Sequence, residues 1–205
     1  METATTPINP DELSPRDAYR LLVSIVVPRP IAWVSSLGVD GTPNLAPFSF
    51  FNVAGESPPT ILFSIGEKHG EQKDTLRNVK ETGEFVVNIV GAELAELMNI
   101  TSGEWPYSTD EAALAGLEMA DSLVVKPKRV AAAPVAMEAI VTQIIPVQDT
   151  TSTLVLGRVL RYHIRDGLLT PTGLVDPTAM RPLARMGGNA YTTVDHVFDM
   201  LRPRV

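Results

Sequence analysis

The sequence predicts a mainly β protein, an antiparallel barrel with a few short helices between its strands. The 17 prolines and 14 glycines divide the 205 residues into short segments, which favours strands joined by turns over long helices. Six or more segments are rich in Val, Ile, Leu and Thr, and they do not alternate regularly with helical segments. A doubly wound parallel sheet requires that alternation, so the pattern favours an antiparallel barrel.

The first third of the chain predicts an arm, a helix and two strands. Residues 1–13 are polar and predict an N-terminal arm, and a helix around 18–24 follows, with Ser14 or Asp11 available as its cap. A Gly-rich turn separates the strands at 31–37 and 44–53. The second strand contains Pro47, which predicts an edge, a bulge or a place where the backbone faces a ligand.

The rest of the chain adds a long hairpin and a loop-rich C-terminal segment, 166–205. The predicted strands are 60–65, 84–90 (central in the sheet), 135–147 and 152–164, and the predicted helices are 74–82 (capped by Asp74), 93–100, 110–117 and 195–201.

Composition restricts the class of protein. A hydrophobic fraction of 44% supports one folded domain spanning 1–205. A net charge of −7 with no run of Lys or Arg argues against nucleic-acid binding, and the absence of cysteine excludes disulfides and thiolate chemistry. Without a secretory signal pattern or an apolar run of about 18 residues, we expect a soluble cytoplasmic protein that does not enter a membrane.

The sequence contains none of the common catalytic motifs that we searched for. No G-x-S-x-G elbow, P-loop or G-x-G-x-x-G fingerprint occurs. His69, His163 and His196 are scattered, so we predict neither a metal site nor a catalytic residue. His163 lies in an apolar strand and is interpreted as a hydrogen-bonded barrel histidine, and Glu138 as a structural carboxylate.

Four segments remain as candidates for binding. The first ends in Ser35 and Ser36, two hydroxyls at the end of a strand. They can donate hydrogen bonds to a phosphate, or they can cap the turn that follows.

The second candidate segment is 44–52, where a proline and several polar residues interrupt a strand. A flat heteroaromatic ring needs such a place, because backbone groups freed from the ladder can meet its polar edge. An irregular edge strand with phenylalanines as core residues is the alternative.

The third segment, Lys73-Asp74-Thr75, opens a predicted helix. Unpaired N–H groups at a helix N-terminus attract an anion, and Lys73 and Thr75 add a charge and a hydroxyl donor. The alternative is an ordinary surface helix capped by Asp74.

The fourth segment is 185–191. Its paired glycines permit close approach of the backbone to a ligand, and Tyr191 offers a face for stacking. The alternative is a mobile loop.

Five motifs together resemble one known family. The chain from about residue 14 to 191 resembles the flavin reductase-like family of FMN-binding split barrels, through the runs R-P-I-A-W-V-S-S (29–36), G-V-D-G-T-P-N-L-A-P-F-S-F-F-N (38–52), K-D-T-L-R-N-V (73–79), G-E-F-V-V-N-I-V (83–90) and G-G-N-A-Y (187–191). The resemblance implies a six-stranded antiparallel split β-barrel and a homodimer with FMN near the subunit interface.

The resemblance also implies a set of cofactor-binding residues. The phosphate side comprises Ser35, Ser36, Lys73, Asp74 and Thr75. The isoalloxazine side comprises Asn44, Ala46, Pro47 and Ser49, with Phe50 closing it. The remaining members are Arg29, before the first strand, and Gly187, Gly188 and Tyr191, near the flavin from the same or the other subunit.

The function implied is an NAD(P)H:flavin oxidoreductase, in which a hydride passes from NADH or NADPH to FMN and the electrons pass to oxygen, a free flavin or a redox partner protein. Two alternatives stay open: a flavoredoxin-like electron carrier without a nicotinamide site, and a non-catalytic barrel for another planar ligand. Trp105-Pro106-Tyr107 receives no role.

Overall fold

The computed structural model describes residues 3–203; Met1, Glu2, Arg204 and Val205, at the ends of the predicted arm and C-terminal segment, lie outside the described residues. The helices are α1 (Pro15–Ile25), α2 (Asp74–Thr82), α3 (Ala95–Ile100), α4 (Glu111–Leu114) and α5 (Pro177–Met180). The strands are β1 (Arg29–Pro30), β2 (Ala32–Leu37), β3 (Pro43–Phe48), β4 (Phe51–Glu56), β5 (Pro59–Gly66), β6 (Glu84–Ile89), β7 (Met119–Ala120), β8 (Arg129–Val130), β9 (Val135–Pro146), β10 (Ser152–Ile164), β11 (Leu183–Arg185) and β12 (Tyr191–Thr193).

Seven antiparallel strands form the barrel, in the order β3-β2-β6-β9-β10-β5-β4. Strands β3 and β4 are at opposite ends of this order, yet only Ser49 and Phe50 separate them in the chain. Three peptide steps span at most about 10 Å, so the sheet must curl until its two ends meet. The predicted mainly β barrel is confirmed, and β6 is central as predicted.

The prediction of one strand over 44–53 is wrong, because the chain leaves one end of the sheet at Phe48 and joins the other at Phe51. This division gives seven strands where six were expected. Pro47 lies in β3, an edge strand that pairs only with β2. A proline is tolerated there because the other side of β3 has no partner strand that would need its N–H group.

The core consists of two layers on either side of β2. Ala32 and Val34 point into the barrel, where Phe63 and Phe85 pack edge to face with ring centroids 5.3 Å apart. Trp33 points the other way, toward the α3 and α4 side, and its Nε1 donates to Thr101 Oγ1 at 2.9 Å. Burial on both faces explains why this strand is almost continuously apolar in sequence.

Helix α1 has one of its two predicted caps, and three of the predicted helices differ in extent from the structure. Ser14 caps α1, as its Oγ accepts the N–H of Asp17 at 3.2 Å. The helix predicted at 110–117 is a single turn after Asp110, and 93–100 divides into a 3₁₀ turn and α3. The predicted helix at 195–201 is absent from the structure, since this stretch exposes its apolar side chains and contacts no surface that would stabilise so short a helix.

Glu138 on β9 is a structural carboxylate, as predicted. Its side chain is completely buried and accepts the N–H groups of Leu123 and Val124, both at 2.7 Å. His163 on β10 contacts the same carboxylate through Nε2. Burial alone raises the pKa of Glu138, but these hydrogen bonds outweigh it and lower that pKa overall.

Among residues 3–203, no helix is long and apolar enough to cross a membrane.

Candidate functional site

A cleft of about 460 Å³ runs along β3, between α2 and the segment 101–107, and is hereafter the β3 cleft. It brings together six of the predicted site residues: Asn44, Ala46, Pro47, Lys73, Asp74 and Thr75. These come from two segments about thirty positions apart, and they meet because α2 packs against β2 and β3.

The N-terminus of α2 presents free donors to this cleft. The capping position is occupied by Lys73, and no side chain accepts the first N–H groups of the helix. The prediction that Asp74 caps the helix is wrong: Asp74 is the first helical residue, and its carboxylate accepts a hydrogen bond from Arg77 Nη2 instead. The free N–H groups and the helix dipole therefore favour an anion here.

Thr75 adds a hydroxyl whose proton has no acceptor. The residue is 1% exposed, and its Oγ1 accepts the amide of Asn44 at 2.8 Å. Within residues 3–203 this hydroxyl donates to no other group, which leaves its proton for a ligand in the cleft.

Lys73 and Arg77, at the start of α2, bring two cations to the cleft. The ammonium of Lys73 lies 5.9 Å from the centre of the Phe48 ring, and the guanidinium of Arg77 lies 3.9 Å from the centre of the Tyr107 ring. Asp74 balances part of this charge by its contact with Arg77. The donor set of cations, a hydroxyl and backbone N–H groups suits a phosphate.

Ser35 and Ser36 do not line the cleft, so the structure does not support their predicted contact with phosphate. Ser35 is 4% exposed and donates to the carbonyl of Lys128 at 2.6 Å. Ser36 is 2% exposed, and its Oγ accepts the amides of Asn44 and Asn78. Ser36 therefore supports the cleft from behind, by orienting Asn44.

A second cleft, of about 480 Å³, adjoins the first and shares Pro47 and Ser102 with it. Its walls include four more of the predicted residues: Arg29, Ser49, Gly188 and Tyr191. The late segment reaches this place because β11 pairs with β1 and β12. Gly188 has φ of 59° in the turn between β11 and β12, a conformation that glycine adopts without strain.

Three predicted residues have other roles in this chain. The guanidinium of Arg29 is buried and donates to the carbonyls of Val23 and Val26, both at 2.6 Å, so it closes the end of α1 and supports the cleft wall. Gly187 packs against Ser24, and a Cβ there would lie 3.1 Å from that side chain. Phe50 lines neither cleft and faces an apolar groove near α1 instead.

A family model described as "Flavin reductase like domain" matches residues 24–184. The chain belongs to the flavin reductase-like family. The nitrilotriacetate monooxygenase component B from Bacillus cereus is 34% identical, with a TM-score of 0.93 over 97% of this chain and 100% of that one. A 2-nitrobenzoate 2-nitroreductase from Pseudomonas fluorescens is 31% identical, with a TM-score of 0.87 over 97% of this chain and 96% of that one.

The fold of this flavin reductase-like chain is also that of a putative flavin reductase with a split barrel domain from Shewanella frigidimarina. The two chains are 18% identical, with a TM-score of 0.85 over 95% of this chain and 96% of the other. The resemblance inferred from the five motifs is thereby confirmed, as are the split barrel and membership in a family of flavin-dependent oxidoreductases.

Among the residues of the β3 cleft that were not predicted from the sequence are Arg77, Tyr107 and Glu111. Arg77 had a usable signal, since it lies one helical turn after Asp74 and shares its face of α2. Tyr107 and Glu111 had none, because only the fold brings their segment to β3. Glu111 is buried and accepts the N–H of Leu45 at 3.0 Å, and burial raises the pKa of its carboxyl.

Proposed function

We propose that this protein is an FMN-dependent oxidoreductase, with a reduced nicotinamide as the source of hydride. The observation that carries the proposal is the donor set of the β3 cleft in a flavin reductase-like chain. The α2 side supplies Lys73, Arg77 and the free N–H groups of the helix, and beside Pro47 this cleft adjoins the second cleft.

The residues of the cleft suit FMN in their donor chemistry. Lys73, the hydroxyl of Thr75 and the N-terminus of α2 hold the phosphate, since each supplies positive charge or a free donor. Ala46, Pro47 and Ser49 provide the side of β3 for the ring. The edge of β3 that does not pair with β2 leaves backbone groups for the polar rim of the ring, apart from the N–H of Leu45, which Glu111 occupies.

When bound, FMN supplies the redox chemistry, accepting a hydride from NADH or NADPH and passing electrons to an acceptor. The protein's residues position the reactants and exclude water. Ser49 and Tyr191 line the adjoining cleft, which shares a wall with the β3 cleft at Pro47 and is large enough for a nicotinamide or an organic acceptor. No side chain is required as an acid or base for the hydride step.

We also propose that the protein is a homodimer. The chain exposes 12952 Å² of surface. A compact monomer of 22.2 kDa is expected to expose about 9,400 Å², and part of the excess lies on the exposed terminal stretches 3–12 and 195–203. Strand β4 ends the barrel sheet with a free edge and exposes 72% of Val53. Leu22 of α1 and Val26, just after it, are exposed and share an apolar groove with Phe51 and Asn52 of β4. We assign this apolar face, formed by α1, β4 and Phe50, to the dimer.

The first test is spectroscopic. Purified protein is mixed with FMN, freed of unbound flavin, and titrated anaerobically with NADH and separately with NADPH. We expect the protein to retain a yellow flavin and at least one nicotinamide to bleach it. Oxidised flavin is then expected to return on addition of free flavin, oxygen or 2-nitrobenzoate, an acceptor chosen because a 31% identical structure is a 2-nitrobenzoate 2-nitroreductase.

Two results would contradict the proposal in different ways. A protein that retains no FMN would favour a barrel for another planar ligand. A protein that retains FMN, ignores both nicotinamides and exchanges electrons rapidly with a redox protein would be a flavoredoxin-like carrier. The same titration on protein without flavin is the control for direct nicotinamide oxidation.

A further inference from the structure

The segment 101–109 closes one end of the β3 cleft through Tyr107. The hydroxyl of Tyr107 donates to Asp40 Oδ1 at 2.8 Å, which joins this segment to the turn between β2 and β3. The contact is tight, because a Cβ at Gly38 would overlap both the Tyr107 hydroxyl and the Asp40 carboxylate. Burial raises the pKa of Tyr107 and the bond to Asp40 raises it further, so the hydroxyl stays protonated and remains the donor.

The ring of Tyr107 also contacts a cation of the cleft, the guanidinium of Arg77. The Tyr107 ring lies over the Arg77 guanidinium, with 3.9 Å from Cζ to the ring centre, and Arg77 also donates to Asp74. A guanidinium held between an aromatic face and a carboxylate loses little freedom when it meets an anion. Tyr107 therefore fixes both the end of the cleft and the position of Arg77.

The direction of β3 shows where the contact between Tyr107 and Asp40 lies relative to the proposed phosphate site. From Pro47 to Asn44 the strand covers about 10 Å and leads to the hydroxyl of Thr75, a proposed phosphate donor, which Asn44 contacts. Beyond Asn44 the chain runs directly into residues 38–42, where Asp40 and Tyr107 meet. The contact thus lies beyond Asn44 and Thr75, the proposed place of the phosphate.

We propose that Tyr107, bound to Asp40 and stacked on Arg77, makes the site selective for FMN over FAD. The inference rests on the proposed function. The phosphate of FMN is the end of that molecule, whereas FAD continues with a second phosphate and an adenosine, which meet the space that Tyr107 occupies. Selectivity of this kind comes from exclusion of the larger ligand as well as attraction of the smaller one.

The test measures dissociation constants for FMN and FAD by quenching of flavin fluorescence. We expect the unaltered protein to prefer FMN by about 100-fold, and Tyr107→Ala to reduce this preference by about 10-fold or more, mainly through tighter binding of FAD. Tyr107→Phe keeps the ring over Arg77 but loses the bond to Asp40, so a smaller reduction is expected. Tyr162→Ala, which removes an exposed tyrosine from β10, is the matched control and should leave both constants unchanged.

Gly38→Ala tests the same contact from the opposite side. Gly38 does not have a positive φ, so alanine introduces only the overlap with Tyr107 and Asp40. The variant should lower the preference for FMN in the native background, and should lower it much less when combined with Tyr107→Ala, since the overlapping hydroxyl is then gone.

The outcomes separate this inference from the proposed function. If the unaltered protein binds no flavin, the proposed function fails. If it binds FMN but binds FAD equally well, or if Tyr107→Ala leaves the ratio of the two constants unchanged, the assignment of selectivity to Tyr107 is overturned while the proposed function stands.

Discussion

Lys73 shows how a single residue acquires its role from the helix that it precedes. Its side chain has no acceptor with which to cap α2, so the N–H groups of the first turn stay free while its ammonium lies beside them, over the Phe48 ring. A serine or aspartate at this position would satisfy one of those N–H groups and would remove the positive charge. Because this residue is a lysine, both the ammonium group and the N–H groups of the first turn remain available to a ligand.

Replacing Lys73 with glutamate tests this role. The variant loses a charge-assisted contact worth roughly 1.5–3 kcal/mol, so we expect FMN to bind about 10- to 150-fold more weakly. The measurement is the dissociation constant from flavin fluorescence, at constant ionic strength. Lys126→Glu is the control, since it makes the same charge change at an exposed residue that does not line the cleft; equal losses in the two variants would remove Lys73 from the site.

Among the elements, the segment between β7 and β8 is held to the barrel by two carboxylates, Glu84 and the completely buried Glu138. Glu138 accepts two N–H groups from this segment and contacts His163 on the neighbouring strand. One side chain thereby ties β9, β10 and a long connection together.

Glu138→Gln should destabilise the fold in a pH-dependent way. At neutral pH the amide sets a donor against an N–H group, at a cost of about 2–4 kcal/mol in the free energy of unfolding. The pKa of Glu138 in the folded protein is below its ordinary value of 4.5. Its stabilising contribution is therefore complete above about pH 5 and is lost as the pH falls through the folded-state pKa.

The measurement is urea unfolding of both proteins from pH 7 down to pH 3.5. The difference between them should be largest at neutral pH and should shrink in acid. Glu104→Gln, which alters the exposed pair between Glu104 and His69, should have little effect at any pH. A constant difference across the whole range would show that Glu138 acts by packing alone.

At the scale of the whole molecule, the single chain leaves an apolar face uncovered. The free edge of β4 exposes Val53, and Leu22 and Val26 line an apolar groove with Phe51 and Asn52 of the same strand. Arg29 and Ser49 of the adjoining cleft also line this groove. A long unpaired edge with apolar side chains is a liability in an isolated protein. In the proposed dimer a second copy would cover this face and would place the two proposed flavin sites close to the interface.

Val53→Glu should convert the proposed dimer into a monomer. A carboxylate in the middle of an apolar interface is costly to bury, so we expect the mass from sedimentation equilibrium to fall from twice the chain mass to the chain mass. Val39→Glu is the control: Val39 is 74% exposed, close to the 72% of Val53, but lies in the turn between β2 and β3. A monomeric unaltered protein, or equal effects of the two variants, would contradict the assignment of this face.

Much of the fold and part of the site could be read directly from the residues. The prolines, glycines and β-branched runs determine short antiparallel strands, and the caps at Ser14 and Asp110 determine where helices begin, because these preferences act between near neighbours. The residues along 44–49 and 73–75 were identified for the same reason, as each cluster is continuous in sequence.

Only the tertiary structure decided which clusters meet and which polar groups remain free. The adjacent hydroxyls of Ser35 and Ser36 predicted two ligand contacts, but both side chains are buried by packing on the two sides of β2. Tyr107 and Glu111 joined the site through contacts spanning more than 60 positions, for which the sequence carries no local signal. The physical reason is that a strand presents its side chains alternately to opposite sides, and only the packing of other elements settles which side becomes a cleft.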